Sequence, residues 1–248
     1  MKNKLKAFIY PLISVIFWIA VWQIISCSVK MEFVFPRLDK TLVEFFNLVI
    51  SKGFWSIVLA SVLRISLGFL LGALLGILLA PITNYVPLLR SIISPMMTVI
   101  KSTPVASFIL VLWCIIGKAS VPTAISLLMV MPIVWQNLTD GYQAVSASLS
   151  EVCDIFEVTG FKRFRLLVFP TLVRYLIPAL ITSSALAWKS GVAAEIIVYA
   201  KNSIGKEITD AKNLFESERM FAWTIAVVLL SILIEFSIKR LAGRAKKI

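Results

Sequence analysis

The 248-residue chain is 59% hydrophobic and 15% charged, with a mean hydropathy of +0.93. That excludes an ordinary soluble domain, in which about a quarter of the residues are charged. The net charge of +12 does not mark a nucleic-acid surface, because no basic stripe is interleaved with aromatics. Bases beside apolar runs set membrane topology and touch anionic lipid of the bilayer. The chain has no histidine, which excludes His-based acid–base chemistry and the usual triads. Cys27, Cys114 and Cys153 show no metal or redox spacing and read as small hydrophobes in apolar runs.

Long unbroken apolar runs, without the alternation of β-barrel strands, predict an all-α polytopic membrane protein. Residues 1–248 read as one transmembrane domain with about six spans, near 8–27, 57–80, 87–117, 119–139, 172–199 and 220–239. The N-terminus starts basic and apolar, as a secretory signal does. Its run is too long for a signal core and no A-x-A site follows, so it reads as the first span; IISC at 24–27 resembles a lipoprotein cleavage box only faintly. Between the first two spans, Leu38, Leu42, Phe45, Phe46 and Val49 recur at helical spacing. They fit an amphipathic helix on the membrane face or an ordinary packed loop helix.

The second span places Gly68, Gly72, Gly76 and Ala80 four residues apart on one face, which lets another helix come close. The third span is longer than one crossing needs and contains Pro95 and Pro104, so it should be kinked or broken. Six spans put both termini on one side, together with Lys2, Lys4, Lys6, Arg90, the bases at 162–165, and Lys239, Arg240, Arg244, Lys246 and Lys247. The positive-inside rule makes that side cytoplasmic. The segment at 140–171 lies there too.

That segment contains SLSEVCDIFEVTG at 148–160. Ser148 with Glu151 is a capping-box pattern. Leu149, Val152, Cys153 and Phe156 share a helix face. The reading is a short amphipathic helix that fits a groove on a partner, or one that rests on the protein's own spans.

Ionisable residues within spans are suspects for function, and Arg64, Lys101, Lys189, Glu195 and Glu235 are the candidates. Glu235 has Lys239 four residues on, a helix pair. Arg64 either pairs across helices or snorkels. Lys101 precedes the break at Pro104, where freed backbone groups line a cavity. Trp188, Glu195 and Tyr199 share one face of the fifth span, and Lys189 lies on another. These six, Lys101, Pro104, Trp188, Lys189, Glu195 and Tyr199, are the candidate pathway residues. Trp113 reads as packing or interfacial belt. Three bases against two acids lean toward an anionic or zwitterionic solute.

The charged segment resembles the EAA loop of permease subunits of binding-protein-dependent ABC importers. Glu151, Phe164 and Pro170 fall at that loop's spacing, and Val152 and Cys153 take its two alanine positions. Its usual glycine is Glu157 here, with Gly160 three residues later. Over about 55–240, KSTPVASFILVLWCIIGKAS, AWKSGVAAEIIV and SIGKEITDAKN resemble, in order, stretches of the nitrate/sulfonate/taurine-type permeases. The resemblance implies a type I importer permease of MetI-like fold. It implies a coupling loop seated on a cytoplasmic ATPase, with contacts from Glu151, Val152, Cys153, Phe156, Glu157, Gly160, Phe164 and Pro170. It further implies a homodimer, two ATPase subunits and an extracytoplasmic solute-binding protein. The chain has no G-x-x-x-x-G-K-[ST] phosphate loop, so ATP and Mg²⁺ belong to the ATPase, and the chain is a pore subunit without enzymatic activity or metal. The alternatives are a secondary transporter, which would leave the coupling-like helix unexplained, and a membrane-embedded enzyme, for which no span offers an acid pair or nucleophile cluster.

Overall fold

The computed structural model describes residues 2–29 and 34–245. Among these residues there is no strand. The helices are α1 (Lys2–Val29), α2 (Leu38–Ile50), α3 (Phe54–Tyr85), α4 (Pro87–Ser102), α5 (Val105–Ile116), α6 (Val121–Gln143), α7 (Ala147–Ile155), α8 (Gly160–Arg163), α9 (Phe169–Val198), α10 (Ile204–Asn213) and α11 (Ser217–Ala245). A π-helical turn, Phe164–Val168, joins α8 to α9. Lys246 and Lys247, two of the bases used for orientation, lie outside the described residues.

Four segments are each long and apolar enough to cross a membrane: Phe54–Tyr85, Val121–Gln143, Gly160–Val198 and Ser217–Arg240. The expected third span is the pair α4 and α5, bent by 107°. Thr103 before the proline is extended, with φ −78° and ψ 133°, and Pro104 starts the new helix. This is the restriction that proline places on its neighbour. The expected first span falls inside the single helix α1, whose described apolar stretch is Ile16–Ser28.

α3 and α6 run parallel and pack so closely that three glycines are needed. A Cβ on Gly68 would stand 2.3 Å from the Thr123 carbonyl oxygen, on Gly72 2.6 Å from that of Leu127, and on Gly76 2.8 Å from Val134 Cβ. Trp135 Nε1 donates to Thr83 Oγ1 at 2.9 Å, and Thr123 Oγ1 donates to the Arg64 carbonyl at 3.0 Å. α9 runs antiparallel to both: its Gly191 meets Ile65 and Ser126, and α6 Gly141 meets Leu172 and Tyr175. The core therefore has two ends. One carries the segment between α6 and α9, here called the loop end. The other carries α2 and α10, here called the hairpin end.

At the hairpin end α2 buries Thr41 and Leu48, with Phe45 and Val49 half-buried. The inward stripe is thus shifted from the predicted one, and Leu42, Val43, Phe46 and Ile50 face outward. α2 is a packed helix with a second apolar face turned away from the protein. Cys27 and Cys114, expected as packed hydrophobes, are exposed instead, and Cys153 is half-buried.

Candidate functional site

α7 starts two residues earlier than the capping-box pattern implied. Its cap is Ser146, whose Oγ accepts from the Leu149 amide at 3.4 Å. Ser148 falls inside the helix, because the chain turns helical as soon as α6 releases it at Ala144. The C-terminus of α7 closes in a Schellman pattern: Val158 N–H donates to the Cys153 carbonyl at 2.7 Å and Glu157 N–H to that of Asp154 at 3.2 Å. This geometry needs a left-handed residue at the position of Glu157, which has φ 52°. The family glycine that the sequence lacks is therefore replaced in backbone shape by a strained glutamate. Gly160 has φ 58° and starts α8.

The loop is braced from within. Arg163 Nη1 donates to Asp154 Oδ1 at 2.6 Å, and the same guanidinium donates to Ser150 Oγ. The charges that stand out in the sequence thus tie α7 to α8. The apolar residues stay uncovered: Phe156 is 74% exposed, Ile155 76% and Phe161 76%, beside exposed Leu149 and Val152. Cys153 is half-buried, and Glu151 and Glu157 are exposed at the rim. An apolar patch of this kind, ringed by charge, marks an interaction surface. Ile155 and Phe161 were not singled out from the sequence, although Ile155 extends the stripe three residues beyond Val152.

Phe164 opens the π-turn, and Phe169 N–H bonds back to the Phe164 carbonyl, five residues earlier. Pro170 follows in the first turn of α9. In a regular helix its ring would press on the carbonyl of Leu166. The wider turn relieves that clash and lets the helix continue to Val198.

The six pathway candidates separate. Lys101, Pro104 and Lys189 are exposed, and neither lysine has an ion pair or hydrogen bond among the described residues. Trp188 is sealed, with Nε1 donating to the Val227 carbonyl at 3.1 Å. Glu195 is 0% exposed. Its Oε1 accepts from Arg64 Nη1 at 2.7 Å, and its Oε2 accepts from Ser61 Oγ at 2.9 Å and from the Gly205 amide at 3.3 Å. Tyr199 leaves the shared face because it ends α9 in a left-handed conformation, φ 53°. Its hydroxyl donates to Asp210, and Lys206 Nζ stands 2.5 Å from the other oxygen of Asp210. The bond from Lys206 holds the Asp210 carboxyl below its ordinary value, and the bond to Asp210 raises Lys206.

Arg64 pairs across helices, as one of its two expected roles, and Glu235 pairs with Lys239 at 2.5 Å. Trp113 is half-buried with Lys118 Nζ 5.2 Å from its ring centroid. Sequence reasoning missed Ser61. The available signal was a serine one turn before an arginine in an otherwise apolar run, on the same helix face.

The sequence profile of the family described as binding-protein-dependent transport system inner membrane component matches residues 72–247. The putative aliphatic sulfonates transport permease protein of Bacillus subtilis is 24% identical, over 92% of this chain and 83% of its own length. A nitrate import permease protein of Synechocystis is 26% identical, over 86% of this chain and 82% of its own. A bicarbonate transport system permease protein of Synechococcus elongatus is 22% identical, over 85% and 79%. The crystal structure of an amino acid ABC transporter with histidines shares the fold, with a TM-score of 0.61 at 15% identity over 83% of this chain and 96% of that one. Because the profile spans most of the chain, including the broken third span, the braced loop and α9, the protein belongs to the inner membrane components of binding-protein-dependent transport systems.

Proposed function

We propose that two copies of this chain form the translocation pathway of an ATP-driven importer for a small anionic or zwitterionic solute. The loop end faces the cytoplasm with both termini, and the hairpin end faces outward to a solute-binding protein. Each copy seats its loop on one ATPase subunit, and the two ATPases hold ATP and Mg²⁺. The observation that carries the reading is the apolar surface of α7 and α8, left uncovered on a loop that is otherwise braced and capped. Val152, Cys153 and Phe156 fill the ATPase cleft, joined by Ile155 and Phe161. Glu151 and Glu157 make polar contacts at the rim, while Gly160, Phe164 and Pro170 set the path from the loop into α9.

The substrate class rests on the leftover charges. Of the five ionisable residues singled out within the spans, Arg64, Glu195 and Glu235 are already in ion pairs. Lys101 and Lys189 remain, and both are cations. Lys189 lies nine residues from the end of α9, about 14 Å deep at 1.5 Å per residue. A lone ammonium at that depth is costly against lipid and is tolerated on a wet cavity. The relatives named for sulfonates, nitrate and bicarbonate transport anions, which agrees with this sign. Lys101, Pro104 and Lys189 then line the pathway, and Trp188, Glu195 and Tyr199 hold its wall from behind.

The test is copurification from native membranes in mild detergent. An ATPase subunit should accompany the wild-type chain and be lost from the Phe156→Asp variant. A wild-type chain that purifies without an ATPase, under conditions that preserve other such complexes, contradicts the reading.

A further inference from the structure

The Glu195 cluster joins three segments that are far apart in sequence: α3 through Ser61 and Arg64, the end of α9 through Glu195, and the turn into α10 through residues 201–205. Arg64 Nη2 also donates to the Lys201 carbonyl at 3.4 Å. Ser61 Oγ, besides donating to Glu195, accepts from the Ile204 amide at 3.0 Å.

The first amides of a helix have no partner inside it. In α10 the three that follow the cap are all accounted for. Ile204 N–H goes to Ser61 Oγ, Gly205 N–H to Glu195 Oε2 and Lys206 N–H to Ser203 Oγ, after which Glu207 N–H begins the regular ladder on the Ser203 carbonyl. Two of the three therefore end on α3 and α9 rather than on α10's own cap. The helix start carries partial positive charge, and a sealed carboxylate from α9 occupies it.

The contact has no slack. A Cβ on Gly205 would stand 2.5 Å from Glu195 Cβ and 2.5 Å from the Ile196 amide nitrogen. Sliding α10 over α9 would strand a buried carboxylate and two amides away from water and pull them from the Ser61 hydroxyl, which is strongly unfavourable. The other end of the same rod is the π-turn and the coupling loop. α9 stays helical from Phe169 to Val198 with Pro178 inside it, about 45 Å at 1.5 Å per residue.

From this geometry we infer that Glu195 is a positioning residue that makes α10 and the outer half of α9 one moving body. A displacement of the loop end of α9 by the ATPase then arrives outside as a displacement of α10. A binding protein seated at the hairpin end acts on the loop by the same route, because such coupling is reciprocal. Arg64 and Ser61 complete the joint. The inference rests on the importer reading and adds to it the element that carries motion to the outer face.

The test uses the full assembly of permease, ATPase and binding protein. Spin labels replace Lys212 on α10 of both copies in one sample and Ser148 on the loop of both copies in another. Separations are measured without nucleotide and with ATP trapped. The joint is loosened by the double variant Arg64→Met with Glu195→Gln. That variant removes both charges together, leaves neither ion stranded, and is first shown to assemble. In the wild type both separations change with ATP. In the double variant the Ser148 change persists, the Lys212 change is lost, and stimulation of ATP hydrolysis by the binding protein falls about fivefold or more. A Lys212 separation indifferent to ATP in the wild type, or one that still follows the loop in the double variant, overturns the inference. If the Ser148 separation itself does not respond, the importer reading fails first and the inference falls with it.

Discussion

The loop end and the hairpin end each contain a bonded cluster of an arginine, a carboxylate and a serine, yet they are opposite in kind. At the loop end, Arg163 holds Asp154 and Ser150 while Ile155, Phe156 and Phe161 are left bare. At the hairpin end, Glu195 and Ser61 are packed shut with Arg64 at the partly exposed edge, and the amides of Ile204 and Gly205 are folded into the same cluster. The first arrangement stiffens a surface that something else completes. The second is complete within the chain. Charge in a membrane protein therefore does not by itself mark a substrate site, and what remains unfilled around the charge is the better guide.

The comparison breaks most readily at the hairpin end. Glu195→Ala leaves Arg64, the Ser61 hydroxyl and the Gly205 amide without their shared acceptor. It should lower stability by about 3–5 kcal/mol, read as a lower melting temperature in detergent, with most of the loss recovered in the Arg64→Met, Glu195→Gln double variant. A single variant that melts like the wild type would mean the cluster is not the tight joint described. At the loop end the reverse holds. Ile155→Asp should leave melting unchanged and weaken ATPase binding by about thirtyfold, corresponding to roughly 2 kcal/mol for a residue central to an interface. Unaltered binding would remove Ile155 from the contact surface.

Glu157→Gly sharpens the comparison inside the loop. Glycine takes the left-handed conformation without Cβ strain, less its greater freedom in the unfolded chain. The net gain should be about 0.5–1 kcal/mol, seen as slower amide exchange at Val158. Faster exchange there would mean that the glutamate side chain contributes more than its backbone costs. The smallest effect concerns the exposed clamp on α10. Asp210 titrates below its ordinary 3.8, so its contribution is full above that pH and is lost as the pH falls through the lower folded value. Lys206 titrates above its ordinary 10.5, so its contribution is full below that pH and is lost as the pH rises through the folded value. Amide protection factors in α10, with the intrinsic pH dependence of exchange divided out, should be highest between these limits, and Asp210→Asn should flatten the profile. A wild-type protection profile without that maximum would contradict the clamp.

Much of this was legible beforehand, and the reasons are specific. Apolar runs marked four spanning helices and the bent pair α4 and α5, because a bilayer demands such runs, while the first of the six expected spans shows only the shorter apolar stretch Ile16–Ser28. Gly68, Gly72 and Gly76 pointed to a close helix contact, because four-residue spacing stays on one face. Pro104 marked the break, because proline constrains the residue before it. The direction of a side chain across helices was not legible. Glu195 looked like a pathway residue because its partners, Ser61 and Arg64, are more than a hundred residues away in sequence. The spacing of Tyr199 continues a helical face, and nothing local announces that the backbone turns left-handed there. The capping serine was misplaced by two residues because Ser146 and Ser148 are both plausible caps and only the exit from α6 decides between them.

The measurement that tests the central claim most directly is a titration of purified ATPase onto the wild type and the Phe156→Asp variant, with the melting temperature of each recorded in the same detergent. The account predicts that Phe156→Asp loses most of its ATPase affinity and melts like the wild type. Wild-type affinity in Phe156→Asp would contradict it, since the bare apolar face of α7 would then not be the surface on which the ATPase sits.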